Sequence, residues 1–200
     1  MKIGILGAGM VGQSLARAVI AHGHTVMLSS RTPDSADIQK VIVELGANAQ
    51  AGTVSQTIAY GDMIAVALRF DAIADVAKQG DWSGKIVMDM SNRFGGTTPS
   101  AVEVAKMLAG AHVVKAFNTI GAEHYSDANF GGQPTSMFIA GDDANAKKIV
   151  TDLITQLGFE VVNVGGLADS HHLDALASLW VHLAMRGGMG RNIALRLIHK

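Results

Sequence analysis

The 200-residue chain has no cysteine, which removes disulfides, thiolate nucleophiles, cysteine-ligated metals and iron–sulfur clusters from its chemistry. Charge is sparse: 16% of residues are charged, the formal net charge is -1, and lysines and arginines do not cluster into runs. No basic field is available for nucleic acid, which is set aside as a partner. No stretch reaches the roughly 18 uninterrupted apolar residues of a membrane span. Lys2 ahead of an apolar stretch has the outline of a signal peptide, but Gln13 and Arg17 interrupt it. A cytoplasmic protein is the expectation. Aromatics are few at 5% and prolines number 3, whereas apolar residues make up 48% and glycines number 23. That balance suits packed α/β layers joined by tight turns. No linker, repeat or low-complexity tract divides the chain, so residues 1–200 are read as one domain.

Short apolar runs alternate with amphipathic stretches. Strands are expected at Lys2–Leu6, Thr25–Ser29, Ala47–Ala51, Met63–Leu68, Lys85–Met90 and His112–Ala116, with helices at Met10–Ala21, Ser35–Leu45, Val54–Tyr60, Asp71–Lys78 and Ser100–Leu108. The repeated order implies an α/β fold, a doubly wound, mostly parallel sheet of Rossmann type with helices on both faces. A long connection over Asn118–Thr135 leads to strands at Ser136–Ala140 and Phe159–Val164, separated by a helix from Ala144 to Leu157 that Asp142 and Asp143 can cap. Residues 168–200 are expected to form a helical extension, with one helix to about Met185, a break at Gly187-Gly188-Met189-Gly190, and a short helix over Arg191–Ile198.

The turn Gly7-Ala8-Gly9-Met10-Val11-Gly12 follows the first strand and opens the first helix, which is the context a dinucleotide-binding GxGxxG requires. Gly7 permits the tight turn, Gly9 lets backbone approach a pyrophosphate, and Gly12 lets the helix pack on the sheet. The helix start, with Met10 and Val11, offers unpaired N–H groups to the phosphates. At the end of the second strand, where an acid would bind the ribose 2′-OH of NAD, the chain reads Ser29-Ser30-Arg31-Thr32. Ser30 and Arg31 suit a 2′-phosphate, so the expected cofactor is NADP(H).

The stretch MKIGILGAGMVGQSLARAVIAHGHTVMLSSR, the segment Val114-Lys115-Ala116-Phe117-Asn118-Thr119-Ile120, the FIAGDD of Phe138–Asp143 and the glycine-rich Met185–Gly190 together resemble the NADPH-dependent reductases of the deazaflavin coenzyme F420. The segment Val114–Ile120 is also similar to one in the reductase domain of the six-transmembrane ferric reductases. The resemblance covers most of the chain. It implies an NADP-dependent oxidoreductase passing hydride between NADP(H) and a flat ring, with coenzyme F420, FMN or FAD as co-substrate. It places Leu68, Arg69, Ser91 and Asn92 beside the cofactor, and Asn118 and Thr119 at the nicotinamide end. At Leu68-Arg69 the chain departs from the family pattern, where an apolar residue followed by proline is common, and the identity of the acceptor stays open.

Hydride transfer to such a ring requires positioning more than acid catalysis, and no Tyr-x-x-x-Lys pair is present. No catalytic residue is assigned. Lys115 and His124 are candidate proton donors, although a lysine so placed is more often a strand-end charge reaching solvent and such a histidine a plain loop residue. His171 and His172, with Asp169 and Asp174 nearby, invite a metal, but adjacent helical residues diverge by about 100° and do not converge on one ion; no metal is expected. Trp180 and His182 either line a pocket for a flat ring or belong to the core or a homodimer interface. Two rival functions stand beside the hydride reading: a reductase of small oxo acids, and an NADPH-sensing module without catalysis.

Overall fold

The computed structural model describes all residues from Met1 to Lys200. The first half builds strand β1 (Lys2–Leu6), helix α1 (Met10–Ala21), β2 (Thr25–Ser29), α2 (Ala36–Leu45) and β3 (Ala49–Gly52). Helix α3 (Val54–Tyr60) then leads to β4 (Met63–Val66), followed by α4 (Ile73–Ala77), β5 (Ile86–Asp89), α5 (Ser100–Met107) and β6 (His112–Lys115). Beyond a two-residue hairpin of β7 (Asn129–Phe130) and β8 (Gln133–Pro134) come β9 (Ser136–Gly141), α6 (Ala144–Gln156), β10 (Glu160–Gly165) and α7 (Ser170–Val181).

Eight strands form one sheet in the order β10-β9-β6-β5-β4-β1-β2-β3. All pairs are parallel except β6 with β9. Strand order reverses between β1 and β4, so the crevice beyond their carboxyl ends is the topological switch point at which such sheets take ligands. The sheet is buried on both faces because alternate residues serve different cores. Ile3, Ile5, Met63, Ala65 and Met88 join one cluster with α1 and α6, whereas Leu6, Ile64, Val66 and Val87 join another with α3, α4 and α5. Each of the valine, leucine, isoleucine and methionine side chains among them, fully withdrawn from water, contributes roughly 1.5–3 kcal/mol.

Local capping agrees with this layout. Thr53 and Gln56 form a reciprocal capping box on α3, and the Asp143 carboxylate accepts from the Ala146 N–H at 2.7 Å to start α6. Two expectations need correction. The helix read over 71–78 begins as a 3₁₀ turn at Phe70–Ala72, and the terminal helix over Arg191–Ile198 does not form. There the backbone pairs across the molecule instead of with itself. The Leu195 carbonyl accepts from the Ser136 N–H and the Thr135 hydroxyl, and the Ile193 carbonyl accepts from the Trp180 indole. Helix α7 ends at Val181 and widens into one π-helical turn, His182–Arg186, so the helical extension stops well short of residue 200.

Candidate functional site

The glycine turn closes against neighbouring strands in ways that separate its three glycines. Gly7 has φ +107°, and a Cβ there would stand 2.5 Å from the Ala67 carbonyl oxygen at the end of β4. At Gly12 a Cβ would stand 1.9 Å from the Gly7 carbonyl, so the helix lies as near the turn as it does only because this side chain is absent. Gly9 differs: its φ is -77°, and a Cβ would meet nothing within 4 Å. No neighbouring atom of the protein requires glycine at that position, and the approach to the start of α1 is open. The turn is held to β2 by the Gly7 N–H, which donates to the Ser29 hydroxyl at 3.0 Å.

Beside the turn lies a cavity of about 760 Å³ whose walls include Gly7, Ser30, Arg31, Thr53, Leu68 and Gln79. The Ser30 hydroxyl accepts from the Thr32 N–H at 3.1 Å, and this fixes the bend that presents Arg31. Arg31 is exposed and pairs with no carboxylate of the chain, unlike Arg69, Arg93, Arg191 and Arg196. A cavity bearing a free guanidinium and an open glycine cradle fits a dinucleotide with an extra phosphate. Gly7, Gly9, Gly12, Ser30, Arg31 and Leu68 would hold it, with Met10 and Val11 at the helix start. Arg69 turns away from this wall and pairs with Asp71 at 2.7 Å in solvent. The walls contributed by Thr53, Val54 and Gln79 escaped sequence reading, because α3 and α4 reach the cavity only through the crossover.

On the other side of the switch point, Asn118 ties three elements together. Its amide donates to Asn92 Oδ1 at 3.3 Å and to the Leu173 carbonyl of α7 at 3.1 Å, while its own Oδ1 is buried without a partner. Phe117 before it has φ +59°, a left-handed conformation that costs a non-glycine residue roughly 1–3 kcal/mol. Its surroundings hold it there. The Tyr125 hydroxyl donates to the Phe117 carbonyl at 3.0 Å, and the Tyr125 and Phe159 rings meet Phe117 edge-on. Thr119 is buried immediately after. The strained turn thus aims Asn118 between β5, β6 and α7.

Lys115 contradicts the expectation of a solvent-reaching charge: its side chain is 0% exposed. Its ammonium donates to Asp89 Oδ2 at 3.1 Å, to the Ser91 carbonyl and to the Ser100 hydroxyl at 2.8 Å, with Asp174 Oδ1 at 3.6 Å. Ser91 completes the network, donating from its N–H and hydroxyl to Asp89 Oδ1. Asp174 accepts from the Ser100 N–H and hydroxyl, and so caps α5 from α7. Ser91 therefore faces inward, and of the pair Ser91-Asn92 it is Asn92 that meets Asn118. Asp89 and Lys115 are paired in register on adjacent strands. Opposite charges ending two otherwise apolar strands were the available signal for this network.

The remaining candidates separate cleanly. His124 contacts the Arg191 carbonyl at 3.2 Å and packs edge-on against Phe130. His171 and His172 stack on each other in solvent at 3.8 Å, and no group of three or more His, Asp or Glu side chains is gathered for a metal. Trp180 is buried under its own tail, with the Arg191 guanidinium 5.3 Å from its ring centroid, whereas His182 stands exposed on a surface groove beside Phe94.

A doubly wound parallel sheet with a phosphate cradle at its switch point and a free arginine after β2 defines the Rossmann class of dinucleotide-binding proteins. Residues 2–93 match the family described as NADP oxidoreductase, coenzyme F420-dependent. The chain belongs to that family of NADP-dependent oxidoreductases. It is 28% identical over 183 residues to the Metalloreductase STEAP3 of Rattus norvegicus, a match that covers 88% of this chain and 36% of that protein. The chain thus spans about a third of the length of this curated relative. Among solved structures it is 30% identical to a hypothetical protein from Sinorhizobium meliloti, with a TM-score of 0.77, covering 100% of this chain and 96% of that one. A protein assigned as an F420-dependent NADP-reductase from Arthrobacter sp. FB24 shares the fold over the whole of both chains, with a TM-score of 0.88 at 24% identity.

Proposed function

We propose that the protein passes hydride between NADP(H) and the planar ring of a flavin or deazaflavin, with FMN, FAD and coenzyme F420 as the candidate acceptors. The observation that carries this reading is the commitment of four titratable side chains around the Phe117–Ile120 turn, Lys115, Glu123, His124 and Tyr125. Lys115 is spent on Asp89, Ser91 and Ser100, and His124 on Arg191. Glu123 is bound in a fork by Arg191, which holds its carboxyl below the usual glutamate range. Burial pushes the Tyr125 phenol well above its ordinary range, and its proton is given to the Phe117 carbonyl.

A carbonyl substrate needs a proton at oxygen as hydride arrives. A flavin-like ring spreads that charge itself. When bound, NADPH supplies the hydride; the chain's own part is to grip the pyrophosphate at Gly7–Gly12, hold the 2′-phosphate at Ser30 and Arg31, and orient the nicotinamide end with Asn92, Asn118 and Thr119. The name of the family and that of the rat metalloreductase both support a redox acceptor. The same reading places the protein in the cytoplasm, drawing on NADPH there. It makes the protein a homodimer through the exposed Leu179, Val181, Met185 and Met189, to be checked by sedimentation.

The test is to mix protein and NADPH with FMN, FAD, coenzyme F420 and a set of small oxo acids, and to follow nicotinamide absorbance. Turnover with a ring acceptor is expected. Turnover with an oxo acid alone would make the protein a carbonyl reductase, and tight NADPH binding with no turnover would make it a sensor.

A further inference from the structure

Beyond α7 the chain passes through Gly187-Gly188-Met189-Gly190, where Gly188 and Gly190 take φ +73° and +72° and a Cβ on either would meet nothing within 4 Å. Packing at these two positions leaves the direction of the following segment open. Arg191 supplies it. Its guanidinium forks onto the Glu123 carboxylate at 2.6 and 2.8 Å, its carbonyl meets His124 Nε2 at 3.2 Å, and its charge lies 5.3 Å from the Trp180 ring centroid. The carboxylate folds back over Gly121, where a Cβ would stand 2.7 Å from its Oε2.

The two elements that Arg191 joins are the two that Asn118 joins. Glu123 and His124 lie in a 3₁₀ turn, Ala122–His124, and Trp180 lies in α7. Tyr125 follows that turn at once and donates to the Phe117 carbonyl, so residues 117–125 form a loop closed on itself. The left-handed Phe117 and Asn118 stand at one end of it and the Arg191 fork at the other. Asn118 ties the loop to α7 at Leu173, and Arg191 ties it to α7 at Trp180, about two helical turns on. A left-handed non-glycine residue persists only where its surroundings over-determine it. A forked guanidinium resting on an aromatic ring fixes direction as well as distance, and so meets that need.

We infer that Arg191 is a positioning residue: through its fork to Glu123 and its seat on Trp180 it holds the 117–125 loop against α7 and so fixes Asn118 for the nicotinamide. It acts through Asn118, and the proposed phosphate grip at Gly7–Gly12, Ser30 and Arg31 does not depend on it. The inference rests on the proposed placing of the nicotinamide end at Asn118, and the experiment reads that placing without an acceptor as well as with one.

The test titrates NADPH into the full chain and into Arg191→Gln, Glu123→Gln, the double variant and Arg196→Gln, following affinity and the emission of the bound nicotinamide. Wild type should bind NADPH with nicotinamide emission raised above that of the free cofactor. Arg191→Gln and Glu123→Gln should each bring that emission back toward the free value at unchanged NADPH affinity, and the double variant should go no further than either. Arg196→Gln, which loosens the same tail at Glu160, should match wild type. With whichever ring is reduced, Arg191→Gln should lower kcat by about ten- to a hundredfold and leave KM for NADPH unchanged. If Arg191→Gln fails to fold, the isosteric Glu123→Gln must show the same changes alone. Wild-type emission and kcat in these variants, effects that add in the double variant, or an equal loss in Arg196→Gln would overturn the role of Arg191 and leave hydride transfer to a ring standing. If no ring is reduced but the emission changes appear as stated, the functional reading falls and the role of Arg191 stands. If NADPH bound to wild type emits as free NADPH does, Asn118 holds no nicotinamide and the inference falls.

Discussion

Gly9 and Gly12 are one residue type in one motif, yet the structure gives them opposite reasons to exist. Gly12 answers to the protein, since a Cβ there would stand 1.9 Å from a backbone oxygen; at Gly9 a Cβ would meet nothing within 4 Å, so that glycine is free to serve the proposed phosphate site. Gly12→Ala should therefore lower stability by about 1–3 kcal/mol in urea unfolding. Gly9→Ala should stay within about 1 kcal/mol of wild type and weaken NADPH by about tenfold or more in a binding titration. If Gly9→Ala bound NADPH normally, the turn would be no phosphate cradle. Arg31 belongs to the same scale. With one charge-assisted contact worth about 1.5–3 kcal/mol, Arg31→Ala should reduce preference for NADPH over NADH by roughly 10- to 100-fold in paired KM measurements. An unchanged ratio would assign the 2′-phosphate elsewhere. These residues were legible in the sequence because strand, turn and helix start are contiguous, so spacing alone carries their geometry.

At the scale of elements, the ends of β5 and β6 are stapled by Asp89 and Lys115, and the staple extends through Ser100 and Asp174 to α5 and α7. Breaking a buried pair from one side leaves an uncompensated charge, so Lys115→Met should destabilise the fold by about 3–5 kcal/mol. The double variant with Asp89→Asn should regain much of that loss in the same denaturation experiment. If the two changes added instead, the network would not be acting as a unit. This part was only half legible. Lys115 stood out as a charge in an apolar strand, but nothing local tells whether such a charge meets solvent or a partner 26 residues away in sequence. The terminal segment failed for a related reason. Its apolar residues suit a helix, yet Thr135, Ser136 and Trp180 supply partners for its backbone that local propensity does not contain.

Over the whole molecule, contacts between distant segments set the response to pH. His24, at the entry to β2, donates from Nε2 to Gln156 Oε1 at 2.9 Å, at the end of α6 and 132 residues on. Burial holds its pKa below the ordinary histidine value of 6.5, with the hydrogen bond to Gln156 opposing. The unfolded chain therefore binds this proton more readily than the folded one. Stability from this group is complete above 6.5 and is lost as pH falls below that value through the lower folded-state pKa. Urea midpoints should decline across that window in wild type and decline less in His24→Gln. Equal slopes in the two proteins would show that another group is responsible.

By itself the sequence determined the strand and helix order, the glycine cradle and the arginine that follows β2, because each depends on neighbours a few residues apart. Tertiary structure alone decided which charge is buried, how a strained Phe117 aims Asn118, and that the chain's end lies extended instead of coiling. Those outcomes depend on partners that only the folded sheet brings within hydrogen-bonding distance, where the cost of an unpaired buried group outweighs local preference.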